Sequence, residues 1–270
     1  MPSPDSVEVN PLAQEPVHYF FIGTAGSGKT QLTRAYKRFL DERGLDTTLV
    51  NLDPGATNLP YAPEVDIRDW VSLEQVMAEY GLGPNGAQVA AADMVAVKLP
   101  EIEEVLEEFD PDVFLFDTPG QLELFVFRHA STRIVERLGG EQPLLAYLFD
   151  PILSLTPTGF VSLLMLGAST HLRFQAPMVN ILSKSDILKS EDLAKIEEWA
   201  EEPERLMSAL DEEVAEGAQK VLSIELLRAL DSMGIYRRLV PASANEVRGL
   251  EDLYTAAQLV YTGGEDLSPD

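Results

Sequence analysis

Six short apolar runs punctuate the chain, near residues 17–22, 47–52, 112–117, 144–149, 178–183 and 238–242. Most are continuous rather than alternating, as in His18-Tyr19-Phe20-Phe21-Ile22. A strand with no polar face is buried on both sides, which is the signature of a parallel sheet. Helical patterns separate the runs, over about 29–43, 72–80, 100–109, 121–138, 158–173, 191–233 (in several pieces) and 249–261. Strand, helix, strand in that order predicts βαβ units. The expected fold is therefore α/β: a doubly wound, mainly parallel sheet flanked by helices, with ligands bound at the carboxyl ends of the strands. Ser190, just before Glu191 and Asp192, is expected to cap the helix that opens there. Residues 1–16 and 263–270 show no period and are expected to be loose tails. Residues 17–262 then form one domain with helical insertions at about 72–100 and 190–235.

Composition narrows the partners. Hydrophobic residues make up 45% of 270, enough for a substantial core. Forty-five acidic residues face twenty basic ones, for a net charge of −25. Such a surface repels nucleic acid and anionic membrane, so neither is expected as a direct partner. Two readings of the acidity stand side by side: adaptation to a salt-rich cytoplasm, and a docking face for a basic partner. The 191–220 region carries the same choice between a solvated helical face and a docking arm. With no cysteine there are no disulfides or thiolate metal sites, and a cytoplasmic location fits best. No apolar run approaches the ~18 residues of a membrane helix, and the first residues lack a signal-peptide pattern.

The chemistry starts at Gly23-Thr24-Ala25-Gly26-Ser27-Gly28-Lys29-Thr30. This fits G-x-x-x-x-G-K-[ST], a phosphate-binding loop between a strand and a helix. Its glycines let the backbone approach a ligand, and the N–H groups of Gly23, Ala25, Gly26, Ser27 and Gly28 can form an anion cradle. The positive end of the following helix dipole faces the same point. Lys29 would neutralise β- and γ-phosphates, and the Thr30 hydroxyl would bind Mg²⁺.

Three further segments fall at predicted strand ends. Asp117-Thr118-Pro119-Gly120-Gln121 follows an apolar run: Asp117 can hold Mg²⁺, the Gly120 N–H can sense a γ-phosphate, and Gln121 can orient an attacking water. Asn51-Leu52-Asp53-Pro54-Gly55 places Asp53 near the metal, either on one of its waters or as acceptor for the proton of the attacking water. Ser183-Lys184-Ser185-Asp186 resembles the N-K-x-D guanine code. There Asp186 accepts from the ring N–H and amine of guanine and Lys184 lies along the base. After the next run, Ser243 and Ala244 form a small-residue turn whose N–H groups can reach a guanine carbonyl. Asp66-Ile67-Arg68-Asp69 fits a switch segment and an N-cap for the helix near Ser72 equally well.

Gly83-Pro84-Asn85 reads on its own as a turn. Set between the Asp53 and Asp117 segments, with N-L-D-P-G, D-I-R-D, D-T-P-G-Q and S-K-S-D in order, it makes residues 17–261 resemble the GPN-loop GTPases. In that family the Ser at position 183 is usual. The resemblance implies a P-loop NTPase fold, GTP/GDP and Mg²⁺ as ligands, and GTP hydrolysis by a homodimer. It implies that Gly83, Pro84 and Asn85 reach the partner subunit's phosphates, with Asn85 lending an amide in place of an arginine finger. Asp53 and Gln121 would position water, and Thr30, Asp53 and Asp117 would serve the metal. Eukaryotic relatives support RNA polymerase assembly, so a protein client of that kind is expected. The compact chain resembles an archaeal version. A small-molecule kinase using the same loop is the remote alternative, but no acceptor-hydroxyl pocket stands out.

Overall fold

Among the described residues, seven strands of the computed structural model run parallel in one sheet ordered β3-β2-β4-β1-β5-β6-β7. They are β1 (Val17–Gly23), β2 (Thr47–Asn51), β3 (Val65–Asp66), β4 (Val113–Asp117), β5 (Leu144–Phe149), β6 (Met178–Leu182) and β7 (Leu239–Pro241). The structure describes residues 16–213, 218–232 and 239–261. The two expected tails, Pro16 excepted, lie outside them, as does Arg238 at the head of the last predicted strand.

The sheet separates two cores, as continuous apolar strands require. Phe20 and Ile22 join Phe116 and Tyr147 on one face, where the Phe20 and Phe116 rings stack at 4.4 Å. Tyr19 and Phe21 join Tyr36 and Leu32 on the other. Helices α1 (Lys29–Asp41) and α10 (Leu250–Tyr261) cover this second face. The first face carries α2 (Leu73–Tyr80), α3 (Pro84–Leu106), α4 (Leu122–Val126), α5 (His129–Leu138), α6 (Pro157–Phe174), α7 (Ser190–Glu201), α8 (Pro203–Glu213) and α9 (Ala218–Ser232). Register brings the chemistry to one edge. Phe21 of β1 and Asn51 of β2 both sit opposite Asp117, and Asn51 also sits opposite Asp66. The strand order reverses about β1, so the phosphate loop leaves the sheet at its switch point.

The doubly wound parallel sheet matches the sequence reading, and four local differences have physical causes. β3 is a two-residue edge strand, too short to show as an apolar run. The helix expected from residue 100 begins at Pro84 and runs 23 residues. Pro84 occupies its first position, where a missing N–H costs nothing. Ala87, Ala91, Ala92, Val95, Ala96, Leu99 and Ile102 bury a face at three- and four-residue spacing. Pro100 sits inside the helix without ending it. The helix expected over 121–138 breaks at Phe127-Arg128, where Arg128 is extended (φ −97°, ψ 143°). Finally, α7 starts at Ser190 itself, with Lys189 at the N-cap and no side-chain cap bond.

Candidate nucleotide-binding and catalytic site

The loop from Thr24 to Gly28 closes tightly between β1 and α1. Gly26 and Gly28 take φ of 78° and 94°, which side chains rarely adopt. A Cβ on Gly23 would lie 2.8 Å from the Leu148 carbonyl and the Ser27 hydroxyl. At the start of α1, Lys29 is buried and its ammonium donates to the carbonyls of Gly23 (2.9 Å), Thr24 (3.0 Å) and Gly120 (3.0 Å). Burial pulls its pKa down to about 8, against the attraction of Asp117 and Asp53. The Thr24 and Ser27 hydroxyl oxygens are buried without a hydrogen-bond partner.

Asp117 ends β4 and is 1% exposed. Burial pushes its pKa up to about 6; the hydroxyls of Tyr61 and Thr30 and the Lys29 charge pull it back, and the Asp53 charge adds to the rise. Its Oδ2 accepts from the Tyr61 hydroxyl at 2.6 Å, while Oδ1 is buried with no partner. A carboxylate with one spare buried oxygen beside a threonine hydroxyl suits Mg²⁺ held partly through water. Among the described residues no cluster of three or more His, Cys, Asp or Glu could hold a metal.

Asp53 sits beside this pair. Its Oδ1 accepts from the Gly55 N–H at 2.8 Å and its Oδ2 from the Gly120 N–H at 3.3 Å. Burial raises its pKa, and those two bonds oppose the rise. The Gly120 N–H therefore has to leave Asp53 before it can meet a γ-phosphate. Asp53, Gly120 and the exposed Gln121 line a cavity of about 240 Å³ with Ala25 and, from α3, Gln88. The turn holding Asp53 is braced from behind. The Asn51 amide donates to Asp66 Oδ1 (2.9 Å) and the Asp53 carbonyl (3.3 Å), and Asn51 Oδ1 accepts from the Asp53 N–H (3.0 Å). Arg68 pairs with Asp66 and donates to the Ala56 carbonyl at 2.9 Å. Burial works to raise the Asp66 pKa, but the Arg68 and Asn51 bonds leave it below the usual carboxylate value. The D-I-R-D stretch is thus a brace. The cap of α2 is Ser72, which accepts from the Gln75 N–H.

The base-reading motif leaves β6 through Ser183, whose hydroxyl lies on the Ser27 (2.6 Å) and Phe149 (3.0 Å) carbonyls and so ties it to the phosphate loop. Lys184 adopts a left-handed φ of 50°. That turn carries its ammonium to the Gly26 carbonyl at 2.5 Å and its stem against Gly28, where an added Cβ would lie 3.1 Å from Cε. Asp186 Oδ2 accepts from the Asn245 amide at 3.0 Å, and Oδ1 is buried without a partner. The Ser243 hydroxyl, outweighing burial and aided by Asn245, holds the Asp186 pKa below its usual value. The Ser243 N–H bonds the Arg248 carbonyl, so Ser243 serves this site through its hydroxyl.

All these groups meet at one sheet edge except the Gly-Pro-Asn motif. Gly83 caps α3, Pro84 and Asn85 form its first turn, and all three are exposed. Sequence reasoning missed Tyr61, Asn245 and Gln88. Tyr61 and Asn245 belong to irregular segments that no period marks. Gln88 was hidden with the first half of α3, although it lies three residues beyond Asn85.

The sheet order and this loop define a P-loop nucleotide-binding protein. A family model described as "Conserved hypothetical ATP binding protein" matches residues 21–262. The GPN-loop GTPase PAB0955 of Pyrococcus abyssi is 33% identical over 250 residues, 92% of this chain and 98% of that protein. GPN-loop GTPase 1 of Dictyostelium discoideum is 30% identical over 244 residues, 89% of this chain and 60% of that one. The crystal structure of PAB0955, a GTPase in apo form, superposes with a TM-score of 0.82 over 91% of this chain and 97% of that chain. The chain belongs to the GPN-loop GTPase family.

Proposed function

We propose that this protein binds GTP with Mg²⁺, hydrolyses it, and does so as a homodimer whose nucleotide state switches an assembly partner. The observation that carries the reading is the convergence, at one sheet edge, of the Lys29 loop, the Thr30–Asp117 pair and the Lys184–Asp186 base site. Lys29 exchanges some of its carbonyl partners for phosphate oxygens. Mg²⁺, when bound, would supply positive charge against the developing charge on the phosphate oxygens. Thr30 and Asp117 would hold it, with Asp53 close enough to take a bound water. Asp53 also accepts the proton of the attacking water, and Gln121 orients that water in the cavity they share. Asp186 Oδ1 accepts from guanine, an interaction adenine cannot offer. On that ground GTP is preferred to the ATP of the family model's description.

The exposed first turn of α3 supports the dimer. A helix N-terminus presents unpaired N–H groups and a positive dipole end, and Asn85 adds a side-chain amide. Tyr80 (55% exposed), Leu82 (36%) and Val89 (37%) surround it with apolar surface. A second copy would cover that surface and receive the amide at its γ-phosphate, where preorganised donors stabilise developing charge. A protein client, RNA polymerase or its assembly factors by family resemblance, would read the resulting shape. Under a second reading hydrolysis is slow and client binding is the main activity; the acidic outer faces of α7 and α8 favour it.

Phosphate release from GTP in the presence of Mg²⁺ tests the activity. It should vanish in EDTA and in Lys29→Ala, and Asp186→Asn should weaken GTP by about 100-fold or more while improving xanthosine triphosphate. ATP turned over as well as GTP, with Asp186→Asn indifferent to the base, would refute the assignment.

A further inference from the structure

Tyr61 reaches from the irregular stretch between Asp53 and β3 to the end of β4, where its hydroxyl meets Asp117 Oδ2 at 2.6 Å. We propose that Tyr61 is a positioning residue for the metal site: it fixes the Asp117 carboxylate so that Oδ1 alone faces the metal and its waters, and it couples residues 54–64 to that ligand. The inference rests on the Mg²⁺–nucleotide reading and deepens it.

Three observations carry it. Asp117 has two oxygens and a broad, roughly two-fold preference about its last torsion, so a fixed donor on one oxygen decides which way the other points. Oδ1 is the buried oxygen left without a partner, and Thr30 lies against the same carboxylate. Tyr61 is itself held, because its half-buried ring packs on the core beneath α1 and α10. An O–H donating to a carboxylate is a short, charge-assisted bond, and partners of that kind orient metal ligands.

The second half of the proposal comes from the anchors of the 54–64 stretch. Near its start, Arg68 grips the Ala56 carbonyl, and just beyond its end Asn51 grips Asp66. The stretch is also pinned at both ends, where the Pro54 carbonyl accepts from the Leu73 N–H (3.0 Å) and the Glu64 N–H donates to the Leu49 carbonyl (2.9 Å); between these ends Tyr61 is the anchor that reaches the metal ligand. A shift of this stretch therefore turns the Asp117 carboxylate.

The test separates metal from nucleotide. GDP affinity is measured in EDTA with a fluorescent GDP analogue, and Mn²⁺ affinity of the GDP complex by electron paramagnetic resonance. Tyr61→Phe should weaken Mn²⁺ about tenfold, within the range for lost outer-sphere partners, and leave metal-free GDP binding nearly unchanged. Placing 4-aminophenylalanine at position 61, which restores an N–H donor on the same ring, should recover most of the Mn²⁺ affinity. Unchanged Mn²⁺ affinity in Tyr61→Phe would overturn the inference while leaving the nucleotide reading intact. So would failure of the amino analogue to restore it. Absence of GDP binding in the wild type would overturn the nucleotide reading, and this inference with it.

Discussion

His18 shows how a single side chain can tie stability to pH. It lies on β1 against Phe114 (ring centroids 4.9 Å apart), and its Nδ1 bonds the Leu138 carbonyl at 2.7 Å. Burial lowers its pKa below 6.5, despite the Leu138 bond. The folded chain therefore favours the neutral ring. The stability this contributes is complete above about pH 6.5 and is lost as pH falls through the lower folded value. Glu103, Glu107 and Arg137 line the same cavity, and Arg137 pairs with Glu103. His18→Phe should flatten the decline in melting temperature between pH 7 and pH 5 relative to wild type. Parallel profiles would show that His18 titrates alike in both states. At this scale much of the candidate site could be read from residue types: Lys29, Asp117, Lys184 and Asp186 each appear in a motif whose spacing has a mechanical reason. Tyr61 and Asn245 could not be read, because each reaches its carboxylate over 56 and 59 residues. Nothing local in a sequence encodes such a pairing.

Among the elements, α3 links the exposed Gly-Pro-Asn turn to the cavity lined by Asp53 and Gln121. Asn85 stands on its outer first turn while Gln88 faces Asp53 and Gln121. The strands were legible because burial on both faces leaves a plain apolar run. The first half of α3 was not, since Gly83, Pro84, Gly86 and Pro100 look like breakers, and its buried face is built mostly of alanine. Only the packing of that face shows that Pro84 starts the helix and Pro100 interrupts one bond. The brace of Asn51, Asp66 and Arg68 is the other element with a functional consequence. It holds the Asp53 turn without touching the phosphate loop. Arg68→Ala should slow GTP turnover by about tenfold or more through misplacement of Asp53, with GDP affinity nearly unchanged. Single-turnover kinetics beside equilibrium GDP binding would check this; an equal loss in both would mean the brace shapes the whole pocket.

For the whole molecule, a net charge of −25 sets the background. No helix of the described residues is long and apolar enough to cross a membrane. Self-repulsion on this scale destabilises the folded state, and added salt screens it over about 10 Å at 0.1 M. Thermal melts followed by circular dichroism should shift upward as potassium chloride rises from 0.05 M to about 1 M. A flat or falling profile would show that the acidic residues are locally compensated. The phosphate site escapes the background because Lys29 and the loop N–H groups act within a buried pocket, at ranges where the distant surface charge counts little.

The central claim is that one copy grips the nucleotide and another completes the reaction. It is tested most directly by mixing two inactive variants, Lys29→Ala and Asn85→Ala, and measuring GTP hydrolysis. In a mixed dimer, the site on the Asn85→Ala subunit has its own Lys29 and receives the intact Asn85 of the other subunit. Random exchange in a two-fold dimer should then restore about a quarter of wild-type activity. If the mixture stays as inactive as its components although mixed dimers form, Asn85 acts within its own chain, and the account is contradicted.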